Sequence, residues 1–450
     1  MGKYFGTDGV RAVAGQFPLT EDFICKLGYG ALKALDQYAE KEHLKKQVII
    51  ARDTRLSGPA ILKSLATGIR AAGADVLDMG VSPTPSVATA VKQTGSVCGV
   101  VISASHNPPE FNGIKFFSAT GTKLPEALEE QIEQAIEQLD TVPAPVGNYR
   151  PAPELVVGYK KFLMSTVDPK LLQGTKVVLD CANGAAHQIA PDVFRALGMD
   201  VVVMAAENNG ALINKGVGAL HTEKMQQLVQ ETGAYVGFSF DGDADRVMAS
   251  DETGRQLDGE YIISAAALAL RQAGKLPQNK AVMTVMANLG CINFLQEQGV
   301  NVELTPVGDK HVARVLKEQG LAVGGETSGH IIFSEFANTG DGILSALQFL
   351  QFAKKSGKTV SQFAWQWEKY PCQLRAIAVT SKPDLESLPG FLDEIYRLEN
   401  SLGGKGRVFV RYSGTEPKLR ILVEGAQATE VQRVADAAEA AYRVHMEDKK

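Results

Sequence analysis

One pattern occurs three times along this chain of 450 residues, and it restricts the fold more than any other feature. Near residue 50 an apolar run, Val48-Ile49-Ile50-Ala51, leads into a polar loop, a helix-like segment, a turn at Ala72-Gly73-Ala74 and a second apolar run from Val76. Near residue 178 the order recurs: Val177-Val178-Leu179, a loop through Asn183-Gly184, a helix, Leu197-Gly198, then Val201-Val202-Val203. Near residue 283 it recurs again: Val282-Met283-Thr284-Val285, Asn288-Leu289-Gly290, a helix, Gln298-Gly299, then Val302. Strand, helix and strand at this spacing predict a right-handed βαβ unit. Each unit is followed by one more short apolar run that ends in a polar loop. Gly99 to Ile102 leads into Ser103 to Pro108, Tyr235 to Phe240 into Asp241 to Arg246, and Leu321-Ala322-Val323 into Gly324 to His330. Three copies of one scaffold would then present three different loops from equivalent positions. Those positions are the carboxyl ends of strands, where ligands of open α/β sheets gather.

A chain of this length exceeds one core, and roughly three to four domains is the expectation. An amphipathic helix from Pro125 to Leu139 runs into the Pro-rich stretch Thr141-Val142-Pro143-Ala144-Pro145-Val146-Gly147, a linker. Further boundaries fall near Asp251-Glu252-Thr253-Gly254 and from Trp367 to Pro371. The last segment reads strand, helix, strand, strand, helix, without the repeat. The expected fold is α/β: three homologous α/β domains with mixed sheets plus a smaller C-terminal α+β domain, around a central cleft. Their expected spans are residues 1–150, 151–253, 254–367 and 368–450. A net charge of −5 gives no reason to expect nucleic acid. The five cysteines are scattered and form no C-x-x-C, which suggests reduced thiols and a cytoplasmic home. The opening Gly2-Lys3-Tyr4-Phe5-Gly6 lacks the apolar core of a signal peptide, and no apolar run is long enough to span a bilayer, so no membrane is expected.

The loops carry the chemistry. Ser103, Ser105 and His106 follow Val100-Val101-Ile102 and precede Asn107-Pro108-Pro109, which cannot continue a strand. A serine there serves as a nucleophile, a phosphate ligand or a turn former. Asp241, Asp243 and Asp245 alternate in D-G-D-A-D-R; three carboxylates so close repel, and a hard divalent cation relieves that. A helix-loop-helix calcium site is the sharpest rival. It needs glycine where Arg246 stands and flanking helices where the pattern reads strand. Arg411-Tyr412-Ser413-Gly414-Thr415-Glu416-Pro417, with Arg420 downstream, combines backbone N–H groups, hydroxyls and a bidentate guanidinium, a set suited to a phosphate dianion. A plain turn with a surface arginine is the alternative. Glu326 and Ser328, two residues apart on a Gly-rich turn, can both bond adjacent sugar hydroxyls, or the glutamate caps a helix. Ser356-Gly357-Lys358-Thr359 ends like a P-loop but lacks the earlier glycine and the preceding strand.

S-A-S-H-N-P followed by N-G-I-K resembles the phosphoserine loop of the α-D-phosphohexomutases, and four further motifs extend the resemblance over nearly the whole chain. The resemblance implies that Ser105 carries a transferable phosphate. It implies one magnesium ion per subunit, held by Asp241, Asp243 and Asp245 and bridged to the Ser105 phosphate. Lys115 becomes a catalytic group, either a proton carrier or a stabiliser of transferring charge, with Arg11, Arg246 and His106 beside it. Arg52 in A-R-D-T-R matches another positive position near the serine. Glu326 and Ser328 match a sugar-hydroxyl loop, while Arg411, Ser413, Gly414, Thr415 and Arg420 match a clamp for the phosphate that is not reacting. Ala12, Thr327 and Tyr412 depart from common choices of the family.

Several details resemble the branch of the family that acts on glucosamine phosphates. Among them is Gly308-Asp309 followed by a basic residue, where an acidic side chain would favour an amino sugar. The implied reaction converts glucosamine 6-phosphate to glucosamine 1-phosphate, on the route to UDP-N-acetylglucosamine, with a hexose or hexosamine 1,6-bisphosphate as activator. The alternatives are glucose or mannose phosphate mutase and, outside the class, a magnesium-dependent sugar-phosphate phosphatase. The expected partner is a small sugar phosphate, and a homodimer is one of the assemblies open to the chain.

Overall fold

In the computed structural model, residues 2–6, 8–388, 390–413 and 417–447 are described. The chain forms two compact units, Met1–Met286 with Val302–Trp365, and Ala287–Asn301 with Gln366–Lys450.

The first unit holds three sheets, and the repeat read from the sequence is visible in all of them. In the first sheet Lys45–Arg52 lies parallel to Asp75–Val81 on one side and to Ser96–Ile102 on the other. In the second, Lys176–Asp180 lies parallel to Asp200–Met204 and to Val236–Phe240. In the third, Lys280–Thr284 lies between Asn301–Thr305 and a parallel Val323–Gly325. Each repeat then adds a fourth, antiparallel strand beside the third: Phe111–Ser118, Val247–Asp251 and Ile331–Phe333. Each sheet is therefore mixed, as expected, and each polar loop is the connection of an antiparallel hairpin.

The apolar runs are continuous because both faces of the first sheet are covered. Val48 and Ile50 point into one core with Leu27, Leu65 and Ile69; Ile49 and Ala51 point into another with Val87, Val91 and Phe117. A strand buried on both faces shows no alternation. Val10–Val13, which the sequence pattern did not single out, pairs antiparallel with Phe111–Ser118 and closes the edge of this sheet. That pairing sets Arg11 opposite Gly113, just beyond the serine loop.

In the second unit Cys372–Ala378, Lys418–Gly425 and Gly406–Tyr412 form an antiparallel sheet. Helices Phe391–Asn400 and Ala428–Glu447 bury Phe391, Ile395, Val431, Val434 and Tyr442 against it. Segment 287–301 joins this unit through Glu424, whose carboxylate accepts from Asn288 Nδ2 (3.3 Å) and Arg407 Nε (2.7 Å).

Candidate functional site

Ser105 is 1 % exposed and has φ of +53°, a conformation that side-chain-bearing residues rarely adopt. Its Oγ donates to Asp241 Oδ2 at 2.7 Å and lies 3.3 Å from His106 Nδ1. The serine loop and the aspartate loop meet backbone to backbone. A Cβ on Gly242 would fall 2.5 Å from the Ser105 carbonyl, so only glycine permits the approach.

Asp241, Asp243 and Asp245 are all buried, and each offers a carboxylate oxygen within 4.8 Å of the others. The strands on either side, Val236–Phe240 and Val247–Asp251, remove the calcium alternative, which needs helices. Burial, followed by the charges of Asp245 and Asp243, pushes the Asp241 carboxyl well above the usual range. Burial also opposes the charge of Asp245, but Lys115, His330 and Arg246 outweigh it and hold that carboxyl low. Asp243 Oδ1 and Asp245 Oδ1 are buried without a hydrogen-bond partner. Oxygen-only donors, close together and left short of hydrogen bonds, fit a hard divalent cation.

The opposite deficit surrounds them. Arg11 Nε and Arg246 Nε are also buried without a hydrogen-bond partner. Burial, then Arg246 and Arg11, lowers the His106 pKa to about 4, so that ring is neutral near pH 7. Cationic groups lacking acceptors beside carboxylates lacking donors match a bound phosphate next to a cation.

Lys115, 2 % exposed, reaches Asp243 Oδ2 (2.8 Å), Asp8 Oδ2 (3.1 Å) and Asp245 Oδ2 (3.5 Å). Asp243 Oδ2 also accepts from Thr84 Oγ1 at 2.7 Å. Burial opposes the lysine's charge, but the three carboxylates raise its pKa well above the ordinary value. Asp8 pairs in turn with Arg11 and Lys123.

Asp309 does not present a free carboxylate: Lys123 Nζ lies 2.6 Å from its Oδ2. His330 stands between Asp309 and Asp245, which raise its pKa against burial. The Gly340 amide nevertheless donates to His330 Nε2 at 3.0 Å, which needs that nitrogen's lone pair. This amide bond is the shorter contact, so we assign the ring as neutral with Nδ1 protonated. Glu326 Oε1 accepts from the Gly308 amide at 3.0 Å, and Ser328 Oγ lies 3.4 Å from Glu326 Oε2. Glu326 is close enough to act on the charge of Arg246.

Ser105, His106, Arg11, Lys115, Arg246, the three aspartates, Asp309, Glu326 and Ser328 thus all lie in the first unit, joined by contacts or by charge. Arg52 does not join them: its guanidinium pairs with Asp78 at 3.3 Å. The guanidinium at the serine loop belongs to Arg55, which the sequence reading passed over along with Asp53, Asp8, Lys123, Thr84 and Asn214. A-R-D-T-R and F-G-T-D-G-V-R contain three of these; Lys123, Thr84 and Asn214 lie in no motif.

In the second unit Arg411 and Arg420 are direct partners on adjacent antiparallel strands, both half-buried. Two guanidinium groups that face each other across a strand pair can hold one anion together. Ser413 is buried and its carbonyl accepts from Lys382 Nζ at 2.5 Å. Gly414 and Thr415 lie outside the described residues.

Four family models match the chain. Phosphoglucomutase/phosphomannomutase alpha/beta/alpha domain I covers residues 2–143, domain II 158–254, domain III 258–370, and the C-terminal domain 374–441. The phosphoglucosamine mutase of Caldicellulosiruptor bescii is 42 % identical over 445 residues, 97 % of this chain and 98 % of that one. The crystal structure of a phosphoglucomutase/phosphomannomutase family protein from Burkholderia thailandensis is similar with a TM-score of 0.80 at 21 % identity, over 99 % of this chain and 98 % of that chain. The N-acetylphosphoglucosamine mutase of Aspergillus fumigatus, solved with GlcNAc-6P and magnesium, is similar with a TM-score of 0.64 at 22 % identity, over 88 % of this chain and 82 % of that chain.

Proposed function

This chain belongs to the α-D-phosphohexomutase family, and on that premise we propose that it interconverts glucosamine 6-phosphate and glucosamine 1-phosphate through a phosphoserine at residue 105 and a bisphosphate intermediate. One observation carries the reading. Ser105 Oγ donates to Asp241, and on the same loop Asp243 Oδ1, Asp245 Oδ1 and Arg246 Nε are buried without a hydrogen bond, the last two 3.8 Å apart. A phosphate on the serine oxygen, beside a cation, would satisfy both kinds of group.

In this reading the sugar hydroxyl attacks the phosphorus of phosphoserine 105. The P–Oγ bond opens as the new P–O bond forms, and the hydroxyl proton balances the one that Ser105 Oγ takes up. Lys115, Arg11 and Arg246 face the phosphoryl oxygens as negative charge shifts across them, and their positions are set before the reaction. His106, neutral and 3.3 Å from Oγ, shapes the pocket without adding charge. Asp241, Asp243 and Asp245, with the phosphate of Ser105, would hold one magnesium ion, which supplies neutralising charge to the transferring group. Glu326 and Ser328 bind sugar hydroxyls. The facing Arg411 and Arg420, with Ser413, bind the phosphate that is not reacting. The bisphosphate turns over and returns its other phosphate to Ser105; an exogenous 1,6-bisphosphate restores enzyme that has lost the group. The four spans 1–150, 151–253, 254–367 and 368–450 then carry nucleophile, metal, sugar and phosphate loops in turn.

The test is intact-mass analysis with peptide mapping, paired with turnover of glucosamine, glucose and mannose phosphates. One phosphate should map to Ser105, and Ser105→Ala should keep the fold and lose nearly all turnover. A label on Ser103, or free phosphate released in place of isomerised sugar, would overturn the mutase scheme. Equal or better use of mannose phosphate would overturn the choice of substrate.

A further inference from the structure

Arg55 is 1 % exposed and is among the largest side chains buried so completely. A guanidinium has five N–H groups, and each of these has an acceptor. Nε donates to Asp53 Oδ2 at 2.9 Å. Nη1 donates to the carbonyls of Pro108 and Phe111, the latter at 2.9 Å. Nη2 donates to the carbonyls of Ser105 (3.0 Å) and Asn107 (2.8 Å). Three carbonyls of the serine loop and that of Phe111, the first residue of the next strand, therefore converge on one planar cation.

The other side of the loop is tied to the same pair. Ser103 Oγ donates to Asp53 Oδ2 at 2.6 Å and accepts from the Ser105 amide at 2.9 Å. Both main-chain polar groups of Ser105 thus lead back to Asp53 and Arg55. Asn214, from another loop, adds a second donor: its Nδ2 lies 2.9 Å from the Ser105 carbonyl and 3.2 Å from that of Asn107. The residue held this way is the one with φ of +53°. With all five N–H groups engaged, Arg55 has none to offer a substrate.

We propose that Arg55, backed by Asp53 and Asn214, is a positioning residue for phosphoryl transfer, fixing the left-handed conformation of Ser105 that aims its Oγ at Asp241. The functional part of the proposal rests on Ser105 as the phosphate carrier; the conformational part does not. A lysine can replace the arginine only in part, because a point charge with three donors cannot reach five acceptors spread in a plane.

The experiment compares Arg55→Met, Arg55→Lys and Asn214→Ala with wild type in two readouts. Steady-state kinetics with glucosamine 6-phosphate separate kcat from KM. Hydrogen exchange over residues 103–111 reads the loop without any substrate. Arg55→Met should lower kcat about a hundredfold, as a misplaced reacting group does, with KM within about threefold. Exchange over 103–111 should quicken. Arg55→Lys should recover part of the loss, and Asn214→Ala should lower kcat several-fold. A folded Arg55→Met with wild-type kcat, a rise in KM alone, or unchanged exchange would overturn the proposal. Should the Arg55 variants fail to fold, Asn214→Ala, whose side chain is only half-buried, decides: unchanged kcat and exchange would overturn it. A wild-type chain that turns over no hexose phosphate would sink the proposed function, while the exchange readout would still decide the loop.

Discussion

Replacing Lys115 by methionine keeps most of the apolar stem and removes the ammonium group. That group lies 2.8 Å from Asp243, 3.1 Å from Asp8 and 3.5 Å from Asp245, with almost no solvent contact. Removing one partner of a buried ion pair costs about 3–5 kcal/mol, because an uncompensated charge stays behind. Asp8 keeps Arg11 and Lys123, so the loss falls on Asp243 and Asp245 and should lie near the lower end, about 3 kcal/mol at pH 7. The pH dependence follows from the direction of each shift. Asp8 and Asp245 are held low against burial, so their stabilisation is present above the unfolded carboxylate value, about 3.9, and fades as pH falls through the folded values. Lys115 is raised, so its stabilisation is present below about 10.4 and is lost only as pH rises through the folded value. In the variant these carboxylates titrate upward, and acid relieves their repulsion. The gap between wild type and variant should thus be widest from about pH 5 to 10 and should narrow towards pH 4. Urea unfolding at pH 7 and pH 4.5, with chelator present, measures it. Equal destabilisation at both values would refute the ion-pair reasoning, and none at pH 7 would mean that the ammonium is not buried among carboxylates.

Asp243→Asn removes one charge and one good ligand, so magnesium binding by calorimetry should weaken at least about tenfold and turnover should fall with it; unchanged binding would refute a role for the triad. Arg411→Ala removes charged hydrogen bonds worth about 1.5–3 kcal/mol, which predicts a loss of about ten- to a hundredfold in kcat/KM and more frequent release of bisphosphate. Arg411 is half-buried near the end of its strand, so the thermal midpoint should change little; a large drop would mean that the arginine is structural. Asp309→Asn should narrow the preference for glucosamine over glucose phosphate by less than about fivefold, since Lys123 already matches that carboxylate. A larger change would show that Asp309 meets the amino group directly.

The repeat was legible because strands buried on both faces leave unbroken apolar runs, and the three βαβ spacings agree with the observed strands. The antiparallel hairpin that follows was read only around Val247. Phe111–Ser118 contains polar Asn112 and Lys115, which hide the strand; their partners, Ser57 and Asp243, are remote in the sequence. The cluster of aspartates and the serine were legible because each lies in a compact motif. The supporting charges were not. Arg52 and Arg55 stand in the same short motif, and which guanidinium turns toward the serine depends on how the chain leaves its strand. Asp309 looked available because its match is remote in the chain: its neighbour Lys310 pairs with Glu126, and Lys123 reaches Asp309 only once the fold is formed.

Beside the side-chain contacts, several joints between the loops of the first unit are made by main-chain atoms. The Thr84 amide donates to the Asp243 carbonyl at 2.9 Å, the Gly342 amide to Ala244 at 3.0 Å, and the Val247 amide to Gly329 at 3.0 Å. Gly242 presses on the carbonyl of Ser105 without a side chain between them. None of these contacts depends on which side chain a loop displays. Lineages descended from such an ancestor can therefore exchange the sugar-facing residues one at a time while the phosphoryl-transfer frame keeps its alignment. Divergence in substrate taste and retention of chemistry become separable, because a change of side chain on a loop leaves these main-chain bonds in place, whereas a side chain at Gly242 would not.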